Sequence, residues 1–382
     1  MRYAIVTETY PPEVNGVALT VQSLERGLRV RGHDVSVVRP RQSDATTAEA
    51  DETLVRAVSL PRYPGLRAGL PATRRLVSTW SAARPDAIYV ATEGPLGWSA
   101  LRAARRLGIP AATGFHTRFD EYMRDYGLSW LEPVALRWMR HFHNGAAATL
   151  VPTRELKGFL DSVGFRRVRL LPRAVDTVLF DPVHRDDAWR AALGAEARAP
   201  LVIYVGRIAV EKNLALAVRA FRALQAQCPH ARYAWIGDGP LLEPLRRENP
   251  DFLFLGVQRG ETLARMFASA DLFLFPSRSE TFGNVTLEAM ASGVPVVAFD
   301  YGAAHEHLRD GRHGAALALD DDDGFISAAT RIGSDLRLAR AMGANARRAV
   351  LGLSPDRVAR DFEELLADIS PRNQGHVDLA AA

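Results

Sequence analysis

Two series of short apolar runs, each alternating with helix-like segments, most strongly limit how this chain can fold. The strand-like runs begin at Tyr3, Asp34, Ala87, Ala111 and Ala147 in the first series, and at Leu201, Arg232, Leu272 and Val294 in the second. Strands that alternate with helices form parallel, doubly wound sheets, because a right-handed crossover places each helix on a face of the sheet. The sequence therefore predicts an α/β protein with two such sheets.

The length of the chain agrees with two domains. A chain of 382 residues is long for a single hydrophobic core. Pro172 and Pro182 mark a predicted link, residues 357–369 form a last helix, and the tail from 371 to 382 is expected to be flexible. Ligands bind outside the carboxyl ends of strands in open α/β sheets. The candidates for chemistry are therefore the residues that directly follow strands.

The composition excludes several classes of protein. Cys228 is the only cysteine, so disulfides within the chain and cysteine metal cages are excluded, as is usual in a reducing compartment. No run approaches the roughly 20 apolar residues of a membrane-spanning helix. The first residues, Met-Arg-Tyr-Ala-Ile-Val-Thr, enter a strand-like run instead of a secretory leader. We therefore expect a cytoplasmic protein.

The charge is unevenly distributed along the chain. Residues 1–180 carry 25 Lys+Arg and 17 Asp+Glu, whereas residues 181–382 carry 23 and 27. This asymmetry favours an anionic partner for the first half, although a solvated basic surface fits the counts equally well. No nucleic-acid-binding motif accompanies the charge, so we expect no nucleic acid as partner.

A basic stretch with large apolar residues extends this hypothesis to membranes. Its members are Trp130, Leu131, Val134, Arg137, Trp138, Met139, Arg140, His141, Phe142 and His143, and a second basic run comprises Arg56, Arg62, Arg67, Arg74 and Arg75. A helix of this composition either lies on a bilayer surface or packs its apolar side on its own sheet. Peripheral contact with an anionic membrane, at the inner face of the cytoplasmic membrane, is thus one of two interpretations.

The segment from Glu280 to Glu288 carries the main chemical signal. It follows a strand-like run, and Gly283, Asn284 and Val285 open a predicted helix. Free amides at a helix start, beside a glycine that permits close approach, form a seat for a diphosphate. Carboxylates on either side of that seat can accept hydrogen bonds from sugar hydroxyls. The bare spacing of the two glutamates fits a helix cap and an ion pair with an arginine at least as well.

The wider string around this segment resembles a known family. Phe282-Gly-Asn-Val285, followed by Ala-Ser-Gly-Val-Pro-Val-Val, resembles the donor motif of retaining glycosyltransferases of family 4, which have the GT-B fold. Further strings that match the family are Gly206-Arg207-Ile-Ala-Val-Glu-Lys212-Asn213, Gly237-Asp-Gly-Pro240, Phe115-His116-Thr117, Pro-Pro-Glu-Val-Asn15-Gly16 and Val175-Asp176. The resemblance spans nearly the whole chain.

The resemblance implies a domain plan. It predicts two doubly wound Rossmann-like domains that face a central cleft. Residues 1–175 form the acceptor-side domain, and a C-terminal helix at about 356–370 packs back on it. Residues 184–355 form the domain that binds the nucleotide sugar.

Roles for two cations follow from the same resemblance. Arg207 and Lys212 neutralise a diphosphate leaving group, whose negative charge grows as the glycosidic bond breaks. An exposed ion pair between Arg207 and Glu211 is the alternative. Because only Lys157 and Lys212 are lysines, an ammonium at position 212 is unusual for this chain.

The resemblance also assigns residues of the first half. His116 corresponds to the sugar-contacting histidine near the reacting centre, although an isolated histidine is more often a satisfied buried side chain. Asn15 and Gly16 align with a glycine loop that closes over the phosphates and the acceptor; an ordinary turn is the alternative. The chain departs from the family at Ala174, where glycine is usual. A positive φ there would strain an alanine.

The resemblance implies a reaction as well. We expect a hexose, with mannose from GDP-mannose as the first choice, to move with retention to a hydroxyl of a lipid or saccharide. A UDP-sugar of the glucosyl or sulfoquinovosyl type is the alternative donor. Arg207, Lys212 and helix amides replace a metal ion, so no metal or other cofactor is expected besides the nucleotide-sugar co-substrate.

Two other classes of protein fit less well. A nicotinamide oxidoreductase would need a G-x-G-x-x-G turn after the first strand, and that turn is absent. A non-catalytic nucleotide-sugar binding protein could dispense with His116 or Glu280, and both are present.

Overall fold

The computed structural model describes residues 1–11, 13, 16–42, 48, 51–59, 67–116, 132–195, 198–278, 280 and 282–370. The chain divides into two compact units. The first contains Met1–Ala174 together with the segment from Pro355 onward, and the second contains Val175–Ser354.

The first unit is built on a seven-stranded parallel sheet. Its strands are β1 (Arg2–Val6), β2 (Asp34–Pro40), β3 (Glu52–Val55), β6 (Ala87–Val90), β7 (Ala111–Gly114), β8 (Ala148–Val151) and β9 (Val168–Leu170), and a separate antiparallel pair comprises β4 (Ala57–Ser59) and β5 (Arg67–Gly69). The sheet has the strand order β3-β2-β1-β6-β7-β8-β9. The helices are α1 (Gly16–Val30), α2 (Thr73–Ala82), α3 (Pro95–Leu107), α4 (Glu132–Asn144) and α5 (Arg154–Ser162). β6 is buried at every position, as expected for a strand that helices cover on both faces.

The second unit is built on a six-stranded parallel sheet. Its strands are β10 (Leu201–Val205), β11 (Arg232–Ile236), β12 (Leu253–Phe254), β13 (Leu272–Phe275), β14 (Val296–Phe299) and β15 (Gly314–Leu317). Its helices are α6 (Asp187–Ala192), α7 (Leu214–Gln227), α8 (Leu242–Glu248), α9 (Gly260–Ser269), α10 (Asn284–Ala291), α11 (Ala303–His307), α12 (Asp322–Ser334) and α13 (Leu336–Val350). The strand order β12-β11-β10-β13-β14-β15 is that of dinucleotide-binding sheets. In this order the winding reverses between β10 and β13.

A last helix, α14 (Pro355–Ile369), belongs to the first unit. It lies close to α1, because a Cβ atom added at Gly27 would collide with the Cβ of Ala359. Phe362 is fully buried, and its ring meets Tyr89 edge-on with centroids 4.9 Å apart. Glu363 binds both Arg31 and His33, whose Nε2 lies 2.8 Å from the carboxylate. Apolar packing and an ion-pair network therefore hold α14 on the first unit.

The link between the predicted domains differs from the expectation. The sequence left residues 176–183 outside both domains, whereas the structure includes them in the second unit. Phe180 is buried in the core of that unit, and Arg347 binds its carbonyl oxygen at 3.0 Å and also pairs with Asp181. Since these contacts join distant parts of the sequence, neighbouring residues gave no signal of them.

Among the residues that the structure describes, no helix combines the length and the apolar character needed to cross a lipid bilayer.

Candidate active site

The loops that follow β10 and β11 cross at very close range. A Cβ atom at Gly237 would collide with the carbonyl oxygen of Gly206, and one at Gly239 would collide with that of Ile208. The amide of Ile208 donates to the carbonyl of Asp238 at 2.9 Å. Both glycines have positive φ, 144° and 158°, which a side chain would strain. The crossing holds the loop that carries Arg207 and Lys212.

Lys212 and Glu280 form the central contact of the second unit. Lys212 ends a short 3₁₀ turn, Val210–Lys212, and Asn213 after it has a left-handed backbone with φ of 51°. The Lys212 ammonium pairs with Glu280 Oε1, and the two side chains are only 15% and 17% exposed. A largely buried pair is less screened by solvent than a surface pair. The contact holds the ammonium in place.

The position of this pair in the sheet is informative. Lys212 follows β10 and Glu280 follows β13, and these adjacent strands flank the point where the winding reverses. Open α/β sheets bind ligands outside the carboxyl ends of the strands at this reversal. The structure therefore brings two of the predicted catalytic residues together at the preferred ligand site of the fold.

Tyr204, at the end of β10, supports this arrangement. Its hydroxyl donates to the carbonyl oxygen of Arg207 at 2.9 Å. Burial raises the pKa of Tyr204 well above its usual value, and the negative charges of Glu280 and Glu211 raise it further. The hydroxyl therefore stays protonated and keeps its role as a donor.

The start of α10 is open, as a diphosphate seat requires. Gly283 precedes the helix with a φ of 88°, and no side chain of the described residues caps it. The first amides of a helix have no acceptor within the helix, so those of Asn284 and Val285 point outward. Phe282 is buried, and the amide of Ala303 donates to its carbonyl at 2.6 Å. A Cβ at Gly302 would collide with the same carbonyl. The loop after β14 thus fixes the backbone that leads into the seat.

Glu288 is the fifth residue of α10 and is partly buried. Among the described residues it has neither an ion-pair partner nor a side-chain hydrogen-bond partner, so the ion pair weighed from the sequence is not formed there. Burial alone raises the pKa of Glu288 to about 7. Its oxygens are available to a ligand.

Arg207 lies differently from Lys212. Its side chain is 67% exposed, and its Nη1 lies 3.6 Å from Glu211 Oε1. This is the surface ion pair that the sequence offered as the alternative, and exposed pairs of this kind contribute little to stability. Reorienting this side chain toward a ligand therefore costs little free energy.

His116 lies in the first unit, two residues after β7. It is buried, and its Nε2 and Nδ1 lie 2.9 Å from the Tyr89 hydroxyl and 2.7 Å from Arg173 Nη2. Burial lowers the pKa of His116 well below its usual value, and the positive charges of Arg173 and His143 add to this. Both ring nitrogens of His116 therefore have partners in this structure.

The glycine loop of the first unit is only partly described. Gly16 is the exposed first residue of α1, whereas Asn15 lies outside the described residues. Ala174, the departure from the family pattern, is absent from the described residues with positive φ. Alanine is therefore compatible with the backbone at that position.

Sequence reasoning missed several residues around the predicted ones. Tyr204 and Gly302 shape the site in the second unit, and Tyr89 and Arg173 hold both nitrogens of His116. These positions follow strands or lie inside them, but no local pattern distinguishes them from ordinary core residues. Within the described part of the chain, no group of three or more His, Cys, Asp or Glu is arranged to hold a metal ion.

Known families match both halves of the chain. Residues 14–179 match the model of Glycosyltransferase Family 4, and residues 199–335 match that of Glycosyl transferases group 1. A GDP-mannose-dependent alpha-mannosyltransferase from Mycolicibacterium smegmatis is 35% identical, over 92% of this chain and 93% of the relative. The chain belongs to glycosyltransferase family 4.

Two further similarities place this glycosyltransferase more broadly. The sulfoquinovosyl transferase SQD2 of Arabidopsis thaliana is 33% identical, over 82% of this chain and 62% of the relative. A crystal structure of HepE from Anabaena with UDP has a TM-score of 0.77 at 19% identity, and the match covers 96% of this chain and all of that one. The glycosyltransferase therefore has the GT-B fold with two Rossmann-like halves.

The pKa of Glu288 predicts how the stability of this glycosyltransferase depends on pH. Between the unperturbed value of 4.5 and the folded value of about 7, the native state holds a proton that the unfolded chain has released. The free energy of unfolding therefore falls as the pH rises through this window. Glu288→Gln is expected to raise it by up to about 3 kcal/mol at pH 8 and to change it little at pH 4.5. Urea unfolding at both pH values measures this effect.

The exposed Glu364 provides a matched control. Glu364→Gln is expected to show the same pH dependence as the unsubstituted enzyme. An equal pH dependence for Glu288→Gln and Glu364→Gln would contradict the assignment.

Proposed function

We propose that this glycosyltransferase transfers mannose from GDP-mannose to a hydroxyl group of a glycolipid or saccharide, with retention of the anomeric configuration. The observation that carries the proposal is the Lys212–Glu280 pair, which lies beside the open start of α10 at the reversal of the sheet. The choice of donor is supported by the mycobacterial relative, which is named for GDP-mannose and matches over most of both chains.

Each candidate residue of the second unit has a role in this proposed reaction. The diphosphate lies against the amides of Asn284 and Val285, and Lys212 neutralises the charge that grows on it as the glycosidic bond breaks. Glu280 and Glu288 accept hydrogen bonds from hydroxyl groups of the donor. Arg207 turns from Glu211 toward the phosphates. Because these cations and amides stabilise the leaving group, the proposed reaction needs no metal ion.

Binding of nucleotides tests the choice of donor. GDP is expected to raise the melting temperature of the protein, by an amount equivalent to about 2.7 kcal/mol at a concentration of one hundred times Kd. UDP and ADP are expected to have weaker effects at equal concentration, and differential scanning fluorimetry measures all three. Stabilisation by UDP alone would favour the UDP-sugar alternative, and indifference to all three nucleotides would refute the proposed donor site.

We further propose that the first unit docks on an anionic membrane through α3 and α4. Met139 and Phe142 of α4 are buried against the unit, whereas Val134 and Trp138 on the same helix are 64% and 43% exposed. Trp138 contacts Trp98 of α3, with centroids 5.8 Å apart. The exposed arginines of these two helices are Arg102, Arg105, Arg106, Arg137 and Arg140. An apolar edge among basic side chains suits the interface of an anionic bilayer. Trp130 and Leu131 of the predicted stretch lie outside the described residues.

Vesicle flotation tests this docking. Replacing both Arg105 and Arg106 by serine is expected to weaken binding to vesicles rich in phosphatidylglycerol about thirtyfold, since each basic residue near an anionic surface contributes about 1 kcal/mol. The exposed pair Arg337 and Arg340 of α13 provides a control of equal charge in the other unit. Equal binding of the unsubstituted protein to neutral and anionic vesicles would count decisively against the proposal.

A further inference from the structure

Three arginines in the described part of the chain are buried: Arg39, Arg173 and Arg190. Arg39 donates from Nε and Nη2 to both carboxylate oxygens of Glu52 at 2.8 and 2.9 Å. Arg190 lies 2.8 Å from Asp271. A buried charge is strongly unfavourable unless a counter-charge and hydrogen bonds compensate it. Two of the three arginines meet this requirement with a carboxylate.

Arg173 does not. It is 6% exposed, and among the described residues no carboxylate pairs with it. Its one hydrogen bond runs from Nη2 to His116 Nδ1 at 2.7 Å. The buried carboxylate of Glu93 bonds instead to His143, whose Nε2 lies 3.3 Å away. The remaining N–H groups of the Arg173 guanidinium have no acceptor in the described part of the chain.

The two described residues that continue the hydrogen-bond chain from Arg173, His116 and Tyr89, carry no compensating negative charge. A guanidinium can only donate, so Nδ1 of His116 keeps its lone pair and the neutral ring carries its proton on Nε2. That proton is donated to the Tyr89 oxygen, 2.9 Å away. Burial raises the pKa of Tyr89 far above neutrality and lowers that of Arg173 to about 10. At neutral pH the group therefore has a net positive charge: a cation beside two neutral rings.

Arg173 and His116 both lie beyond the ends of strands in the first sheet. Arg173 follows β9 by three residues and His116 follows β7 by two, so both lie at the carboxyl edge of the first sheet, where open α/β sheets bind their ligands. A Cβ atom at Gly114 would collide with both the Tyr89 hydroxyl and His116 Nε2. Glycine at 114 thus permits the close approach that orients His116, and His116 in turn orients the guanidinium.

We propose that Arg173, positioned by His116, binds an oxyanion carried by a substrate. Guanidinium groups bind carboxylate and phosphate oxygens through paired N–H groups. If the proposed function holds, the amides of Asn284 and Val285 already bind the donor diphosphate, and we assign the oxyanion at Arg173 to the acceptor. Its source is either the carboxylate of an acidic sugar or the phosphate of a lipid headgroup.

Ligand-induced shifts of the melting temperature test the proposal on the full chain. Glucuronate represents the acidic sugar, glycerol 3-phosphate the headgroup, and glucose the neutral sugar. We expect at least one of the two anions to raise the melting temperature of the unsubstituted protein and of Arg166→Gln, an exposed position in the same unit. The same anion is expected to lose its effect on Arg173→Gln, and glucose is expected to act on none of them. The anion that stabilises identifies the source.

Stability without ligand separates this role from a purely structural one. Arg39→Gln leaves the Glu52 carboxylate buried without its partner, so it is expected to lower the melting temperature by roughly 6 °C or more. Arg173→Gln removes a charge that has no carboxylate partner in the described part of the chain, so the melting temperature is expected to stay unchanged or to rise. A fall as large as that of Arg39→Gln would overturn the proposal, and so would anion shifts that are equal in the unsubstituted protein and Arg173→Gln. Neither outcome affects the response to GDP, which tests the proposed function separately.

Discussion

Lys212→Ala is expected to lower kcat/KM for sugar transfer by at least about 10²–10³-fold, the usual cost of removing one preorganised group that stabilises transition-state charge. The Lys212 ammonium forms a largely buried ion pair with Glu280, so it is already in place when charge develops on the leaving group. Glu280→Ala is expected to produce a loss of similar size, because it removes both the partner of Lys212 and an acceptor for the sugar. Initial rates with GDP-mannose and a lipid or saccharide acceptor measure both effects.

The chain provides its own control for this experiment. Lys157 is the other lysine, and it pairs with Asp161 at 2.6 Å on the surface of α5. Lys157→Ala is expected to leave transfer unchanged and to alter the free energy of unfolding by no more than about 0.5 kcal/mol. Far-UV circular dichroism is expected to be the same for all three variants. Retained turnover in both Lys212→Ala and Glu280→Ala would refute the site assignment.

Phe362→Ala is expected to lower the free energy of unfolding by about 3–5 kcal/mol, the usual cost of deleting a buried aromatic ring. The ring is fully buried between α14 and the first sheet, with Tyr89 edge-on against it. The loss is expected although residue 362 lies more than 250 positions after Tyr89, because α14 contributes directly to the core of the first unit. Urea-induced unfolding measures the change.

Glu364→Ala, on the exposed side of the same helix, separates packing from helix propensity. It is expected to change the free energy of unfolding by no more than about 0.5 kcal/mol. If the two substitutions had equal effects, α14 would not be part of the core of the first unit.

The strands with runs of large apolar residues were predictable because their signal is local. β10, β11 and β13 coincide with apolar runs visible in the sequence, and so does β6. Strands β3, β4, β5, β9, β12 and β15 were missed. β9 and β12 have three and two residues, and β15 reads Gly-Ala-Ala-Leu, so none of these three has a run of large apolar residues. They form because neighbouring strands supply the hydrogen bonds and helices cover their faces.

The candidate site also combines residues that the sequence identified with a contact that it did not reveal. The Glu280–Glu288 segment, Arg207 and Lys212 were identified from the sequence, because a diphosphate seat needs a glycine, free helix amides and nearby cations within short stretches of chain. The direct pairing of Lys212 with Glu280 was not predicted, because it joins residues 68 positions apart through the adjacency of β10 and β13.

By itself, the sequence determined the two α/β halves, the family and the candidate donor segment, because these depend on local periodicity and on contiguous motifs. Only the tertiary structure decided that Lys212 is held by Glu280, that Arg207 lies on the surface, and that Arg173 is buried with no carboxylate partner among the described residues. The physical reason is that burial and pairing depend on which strands become neighbours. The sequence has an arginine at each of positions 39, 173 and 207, and only the packing around each side chain sets the free energy of its charge.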